Sequence, residues 1–164
     1  MLEDLEPWPD HPESGETCAP TTFWASPDTM ELPATVCTTL TVRVEARRIG
    51  GRIERIAHLG DGFTTVVGAG DGETGEVTLT GCLVWDRYLW IDYRTIPEGS
   101  VRITRRGHLV QREVLTPTRH EGWFSVDYSG PVEYRPAGQV ERGFGIRWNA
   151  LTVELGRIPG HQIA

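Results

Sequence analysis

The chain of 164 residues is 38% hydrophobic and 24% charged, a composition that suits one folded domain with a core of its own. No apolar run approaches the roughly 20 residues that cross a bilayer. The acidic start MLEDLEPWPD also lacks the basic and apolar regions of a signal peptide. These features exclude a coiled coil, a disordered tail and a membrane span, and we expect a cytoplasmic protein without membrane partners.

All sixteen basic residues are arginine, and Asn149 is the single asparagine. Because lysine and asparagine codons are AT-rich, the codon bias of a high-GC bacterial genome explains this composition. Selection for guanidinium groups, which bind phosphates and carboxylates through paired hydrogen bonds, is the alternative explanation. Both explanations stay open at this point.

The formal net charge of −7 is concentrated at the N-terminus. Residues 1–36 hold eight acidic side chains, no basic ones and six of the eleven prolines, so the other 128 residues have a net charge of +1. Proline removes backbone donors and fixes φ, which disfavours regular structure in such a segment. We therefore predict an acidic, mostly irregular arm at residues 1–35, an all-β domain at 36–158 and a C-terminal tail at 159–164.

Phe23 and Trp24 are the apolar exception within the predicted arm. We expect these two aromatic side chains to pack on the domain or to anchor a binding partner. The acidic charge gives the arm a second potential role, which is to lie over a basic face of the domain and compete with polyanions.

The first predicted structural element is a β-hairpin around Gly50-Gly51. Apolar and polar residues alternate before and after this dipeptide, and two glycines supply the positive φ angles of the tight turns that connect hairpin strands. Pairing outward from the turn places Arg47 opposite Glu54 and Val44 opposite Ala57. One face of the hairpin is then apolar and the other charged, so we expect it to be half-buried.

Short apolar-polar segments separated by glycine, aspartate and proline continue along the chain. This spacing, without any sustained helical period, favours an all-β barrel or sandwich of about eight to ten short antiparallel strands, with an elaborated OB-like barrel as one form. The further predicted strands are 63–67, 76–85, 88–93, 100–106, 108–115, 123–128, 131–135 and 143–155.

Catalytic and metal-binding motifs are not found in the sequence. The glycine-rich stretch 60–75 lacks the lysine of a phosphate-binding loop and leads into a strand instead of a helix. The three cysteines, at 18, 37 and 82, have no CxxC spacing, which disfavours both a disulfide framework and a zinc site. We predict no catalytic residues, no metal and no cofactor; the most enzyme-like patch, Arg119-His120-Glu121 near Asp127, is best explained as a charged loop.

Arginine and aromatic residues form the strongest candidate binding surface. Arginines that follow a nucleic-acid backbone and aromatic rings that stack on bases are how OB folds hold single strands. Cross-strand arginine and glutamate pairs are also ordinary decoration of a solvated sheet. The candidate binding residues are Trp85, Tyr88, Trp90, Arg43, Arg47, Arg52, Arg102, Arg105 and Arg106.

Three functions are compatible with these sequence features. The first is a non-enzymatic protein-interaction or assembly component, because Trp, Tyr and Arg dominate protein contacts, and it predicts a protein partner or self-association. The second is an OB-like binder of single-stranded nucleic acid or another polyanion. The third is a barrel or barrel enzyme with a small-ligand pocket lined by His58, His108 or His120.

Overall fold

The structure, a computed structural model, describes residues 1–6 and 11–156 of the chain. Strands dominate it, in agreement with the predicted all-β class. The strands are β1 (Leu2–Glu3), β2 (Thr17–Cys18), β3 (Thr22–Ala25), β4 (Thr38–Ile49), β5 (Arg52–Gly60), β6 (Phe63–Ala69), β7 (Gly75–Trp85), β8 (Ser100–Pro117), β9 (Phe124–Pro136) and β10 (Phe144–Gly156). The helical elements are α1 (Pro27–Met30), a 3₁₀ turn (Ala34–Val36) and α2 (Leu89–Asp92).

The predicted hairpin is confirmed in position and register. Gly50 and Gly51 both have positive φ, at 56° and 81°, as a two-residue hairpin turn requires. Arg47 pairs with Glu54 and Val44 with Ala57. The charged face of β5 is nevertheless buried where Glu54 and Ile56 lie, both 0% exposed, because α2 and the segment after it cover this side of the strand.

Five of the strands close into a ring. The pairings run β7-β3-β6-β5-β4, and β4 pairs back onto the first half of β7. The second half of β7 also pairs with β1. In turn β1 pairs with β10, β10 with β8, and β8 with both β2 and β9. The sheet is mixed, since β3 pairs with β6 and β1 with β7 in parallel, whereas the sequence predicted antiparallel strands throughout.

The core lies inside the ring and at its junction with the outer strands. Val44, Ala57 and Val77 fill the ring, while Leu2 and Val84 belong to the cluster that joins the ring to β8 and β10. The described residues of the predicted arm thus contribute β1, β2 and β3 to the sheet. The predicted boundary at residue 36 stays a prediction, and the predicted tail at 159–164 lies outside the described residues.

The strand predicted at 88–93 is wrong, because these residues form the single turn α2. The Tyr88 amide donates to the Asp86 carboxylate at 2.8 Å, and the Tyr93 amide donates to the Leu89 carbonyl at 2.9 Å. Leu89 alone is buried in this turn. One buried side chain in so short a segment is compatible with a strand or with a helical turn. The alternation of apolar and polar residues therefore did not distinguish the two.

Two pairs of predicted strands are continuous in the structure. Segments 100–106 and 108–115 both lie in β8, and 123–128 and 131–135 both lie in β9. Gly107 is not a turn: a Cβ there would lie 2.6 Å from a ring carbon of Tyr134, so glycine makes room for that ring. Gly130, with φ of 76°, lies in a bulge where the β8-β9 register shifts. The strands are therefore longer than predicted.

Candidate interaction site

A two-stranded ribbon extends beyond the rest of the sheet. This ribbon comprises Arg112–Pro117 of β8, Phe124–Ser129 of β9 and the connecting loop 118–123. Every residue from 114 to 131 is exposed. At about 3.4 Å per residue the paired part is about 20 Å long.

One face of the ribbon is apolar. Leu115 pairs with Val126 and Pro117 with Phe124, so these side chains lie on the same face. Leu115 is 59%, Phe124 56% and Val126 48% exposed. Trp123, in the loop, is 70% exposed. The opposite face carries Val114, Asp127 and hydroxyl side chains.

The base of the ribbon is fixed to the sheet. The Arg147 guanidinium lies 4.2 Å from the ring centre of Tyr128 and donates to the Gln111 amide oxygen at 3.1 Å. Gln111 donates in turn to the Gly130 carbonyl at 2.9 Å. The direction of the ribbon is therefore set by contacts at its base, and its outer part is exposed.

The candidate aromatic residues do not share one surface. Trp85 is only 6% exposed, and Arg87 stacks over its ring at 4.0 Å. Tyr88 and Trp90 are 45% and 63% exposed and flank Leu89 of α2. Trp85 belongs to the core, so its ring is not available to stack on a base.

The candidate arginines lie in two separate parts of the sheet. Arg43, Arg47 and Arg52 lie on β4 and β5. The other three, Arg102, Arg105 and Arg106, lie on β8, which pairs with neither of these strands. Arg47 donates to Glu45 at 2.5 Å, and this hydrogen bond, with a smaller contribution from His58, lowers the pKa of Glu45. Arg106 is bound in a buried ion-pair cluster with Glu3, so the six do not form one basic face.

The predicted arm anchors lie within the sheet. Phe23 and Trp24 belong to β3, and Phe23 packs against two core clusters. Trp24 lines a cavity of about 380 Å³, and its indole N–H has no hydrogen-bond partner among the described residues. Other residues that line the cavity are Met1, Cys37, Leu83, Tyr134 and Leu151.

The histidines predicted to line a pocket lie outside the described lining of the cavity, and the thiols of Cys37 and Cys82 have raised pKa values. The residues described around the cavity do not include His58, His108 or His120. His120 lies with Arg119 and Glu121 in the exposed loop of the ribbon. Burial raises the pKa of Cys82 to about 11 and also raises that of Cys37, so both thiols are protonated at neutral pH.

A buried carboxylate ties the N-terminal strand to the body of the sheet. Glu3 is 0% exposed and accepts from Arg87 at 3.1 Å and from Arg106 at 3.5 Å. His11 Nδ1 lies 3.0 Å from the same carboxylate, and Arg106 also donates to the Pro12 carbonyl. No sequence motif signalled this cluster, because its members are far apart in the chain.

Glu54 forms a second buried carboxylate site on β5. Its two oxygens accept from the backbone amides of Arg94 and Thr95, both at 2.7 Å. Burial acts to raise the pKa of Glu54, but these hydrogen bonds outweigh it and the pKa is lowered. The ionised carboxylate thus holds the segment after α2 against the ring.

We expect Glu54→Gln to lower the free energy of unfolding at pH 7 by about 1–3 kcal/mol, because the amide nitrogen would face one of the two backbone donors. The folded pKa is below the unfolded value of about 4.3. The stabilisation from Glu54 is therefore complete above the unfolded pKa and is lost as the pH falls through the folded pKa. Urea unfolding between pH 7 and pH 3 should show the two proteins converging in acid, while Glu73→Gln in an exposed loop changes little. A difference independent of pH would contradict this role.

Comparison with known proteins gives no identity: no family model, curated protein or solved structure matches the chain. Among the described residues, no helix has the length and apolar composition needed to cross a membrane. Within residues 1–6 and 11–156, no three His, Cys, Asp or Glu side chains form a group that could hold a metal ion.

Proposed function

We propose that the chain is a non-enzymatic interaction domain, an assembly component that binds another protein through the apolar face of the ribbon. The observation that carries this proposal is the exposure of every residue from 114 to 131 in a regular antiparallel hairpin. An isolated two-stranded hairpin is at best marginally stable in water. A partner that covers its apolar face would stabilise it.

The composition of the ribbon supports a protein partner. Contiguous exposed apolar side chains mark interaction sites, and Trp, Tyr and Phe are enriched at the centres of protein interfaces. Here Trp123, Phe124 and Tyr128 occur within six residues of each other. On this face, Glu113 pairs with Tyr128 and Arg147 stacks on the Tyr128 ring, so both charges lie at the base of the ribbon. The outer part with Leu115, Phe124 and Val126 is apolar, which matches an apolar interface centre with a polar rim.

The proposal predicts that Leu115→Ser/Phe124→Ser abolishes partner binding and leaves the fold intact. Exposed substitutions usually change the free energy of unfolding by no more than about 0.5 kcal/mol, whereas truncation of central interface anchors costs about 2 kcal/mol or more of binding energy. The tagged full chain should be purified from its native cells as wild type and variant, the associated proteins quantified by mass spectrometry, and the binding repeated with the purified partner.

The matched control is Val114→Ser, which removes an apolar side chain from the neighbouring position on the opposite face. We expect this variant to keep the partner. Equal recovery of the same proteins by all three forms, or no protein enriched by wild type, would contradict the proposed function.

A further inference from the structure

The outer edge of β9 is open along the ribbon. In the part of the chain that the structure describes, β9 pairs with β8 alone, and no backbone hydrogen bond from another element reaches residues 124–129. Open edges are the sites at which strands of other chains add to a sheet. The open stretch ends at Gly130-Pro131, where the bulge and the missing proline N–H stop regular pairing.

The pairing of β8 with β9 determines which N–H and C=O groups of β9 point to the open edge. The Glu113 amide donates to Gly143 at 2.9 Å, on the side of β8 away from β9. In an antiparallel ladder, when the N–H and C=O of one residue point away from the partner strand, those of the residue opposite it also point away. Tyr128 pairs with Glu113, so Phe124, Val126 and Tyr128 all direct their N–H and C=O groups to the open edge.

The sequence on this edge is self-complementary. It reads Phe-Ser-Val-Asp-Tyr from residue 124 to 128. When two copies of this segment run antiparallel with Val126 facing Val126, Phe124 of one copy lies opposite Tyr128 of the other, and Ser125 lies opposite Asp127. Aromatic cross-strand pairs stabilise a sheet, and no like charges meet in this register.

We propose that the β9 strands of two copies pair in antiparallel fashion about a two-fold axis through Val126. The two Val126 residues would exchange a pair of backbone hydrogen bonds, and Phe124 would exchange another pair with Tyr128 of the second copy. A two-fold axis perpendicular to the sheet keeps both apolar faces on the same side, so the resulting four-stranded sheet has a docking face of doubled width. This inference rests on the proposed function, since the ribbon is the binding element in both.

The experiment measures the mass of the full chain in solution by light scattering over a series of concentrations. We expect wild type to reach about twice its 18.3 kDa, and Val126→Pro to remain at the single-chain mass. Proline removes an outward N–H without breaking the β8-β9 ladder, so self-association should weaken by at least about tenfold. Val126→Thr is the matched control, since it keeps the N–H and should associate like wild type.

A second pair of variants tests the register independently. Ser125→Asp sets a carboxylate opposite Asp127 of the other copy and should weaken the dimer, whereas Ser125→Arg should strengthen it. A wild type that stays monomeric, a Val126→Pro variant that still dimerises, or Ser125 variants without opposite effects would overturn the pairing. If Leu115→Ser/Phe124→Ser still loses a partner that Val114→Ser keeps, such a result overturns the self-pairing alone and leaves the proposed function standing.

Discussion

Replacement of Glu3 by alanine is expected to lower the free energy of unfolding by about 3–5 kcal/mol, because it removes a fully buried carboxylate and leaves its two largely buried guanidinium partners uncompensated. Arg87 and Arg106 both bind this carboxylate, and their side chains are only 10% and 19% exposed. Both guanidinium groups would therefore stay largely desolvated without this partner. The effect is therefore larger than that of removing a surface ion pair.

Urea unfolding followed by circular dichroism measures this effect. Glu6→Ala serves as the control, because Glu6 is an exposed carboxylate three residues along the chain and should change the stability by less than about 0.5 kcal/mol. If Glu3→Ala were as stable as Glu6→Ala, the ion-pair cluster would not hold the N-terminal strand in place.

Gly81→Ala is expected to be the most disruptive single substitution in the ring. A Cβ at residue 81 would lie 1.9 Å from the Ala25 carbonyl oxygen and 2.8 Å from the Trp24 indole nitrogen. The close approach of β3 to β7 would have to open, and overpacking of this kind costs about 1–3 kcal/mol even where side chains can move. Because the obstacle here is backbone, we expect a loss at or above the upper end of that range.

Gly75→Ala, in the same strand, separates steric clash from backbone strain. Gly75 has a φ of 87°, and a Cβ there would meet nothing within 4 Å. Its substitution carries only the cost of a left-handed conformation, about 1–2 kcal/mol. Thermal unfolding of both variants should therefore show a clearly larger loss at residue 81; equal losses would mean that the contact with Ala25 is not a constraint.

Features encoded by neighbouring residues were predictable from the sequence. The Gly50-Gly51 hairpin and its register depend on turn geometry and on the alternation beside the turn, both of which are local. The turn at Leu89–Asp92 was missed, because the same alternation fits a strand until the contacts of Asp86 and Leu89 are known. The long β8 was split in the prediction at Gly107, which accommodates Tyr134 from another strand.

The buried carboxylates and the ribbon could not be predicted from the sequence. Glu3 and Glu54 resemble any acidic residue until distant partners are placed around them. The apolar residues around loop 118–123 were visible, and the strands on either side of it were predicted. Their exposure, however, depends on whether another element covers them, which is a property of the whole fold.

Hydrogen-deuterium exchange of the full chain, alone and with its partner bound, tests the central claim most directly, because it locates the bound surface without any substitution. In the chain without the partner protein, amides of the ribbon, which is fixed to the sheet only at its base, should exchange faster than those of the closed ring. We expect binding to protect residues 113–128 and to leave the exposed turn α2 unchanged. Protection elsewhere in the chain, with none in the ribbon, would contradict the assignment of the ribbon as the docking element.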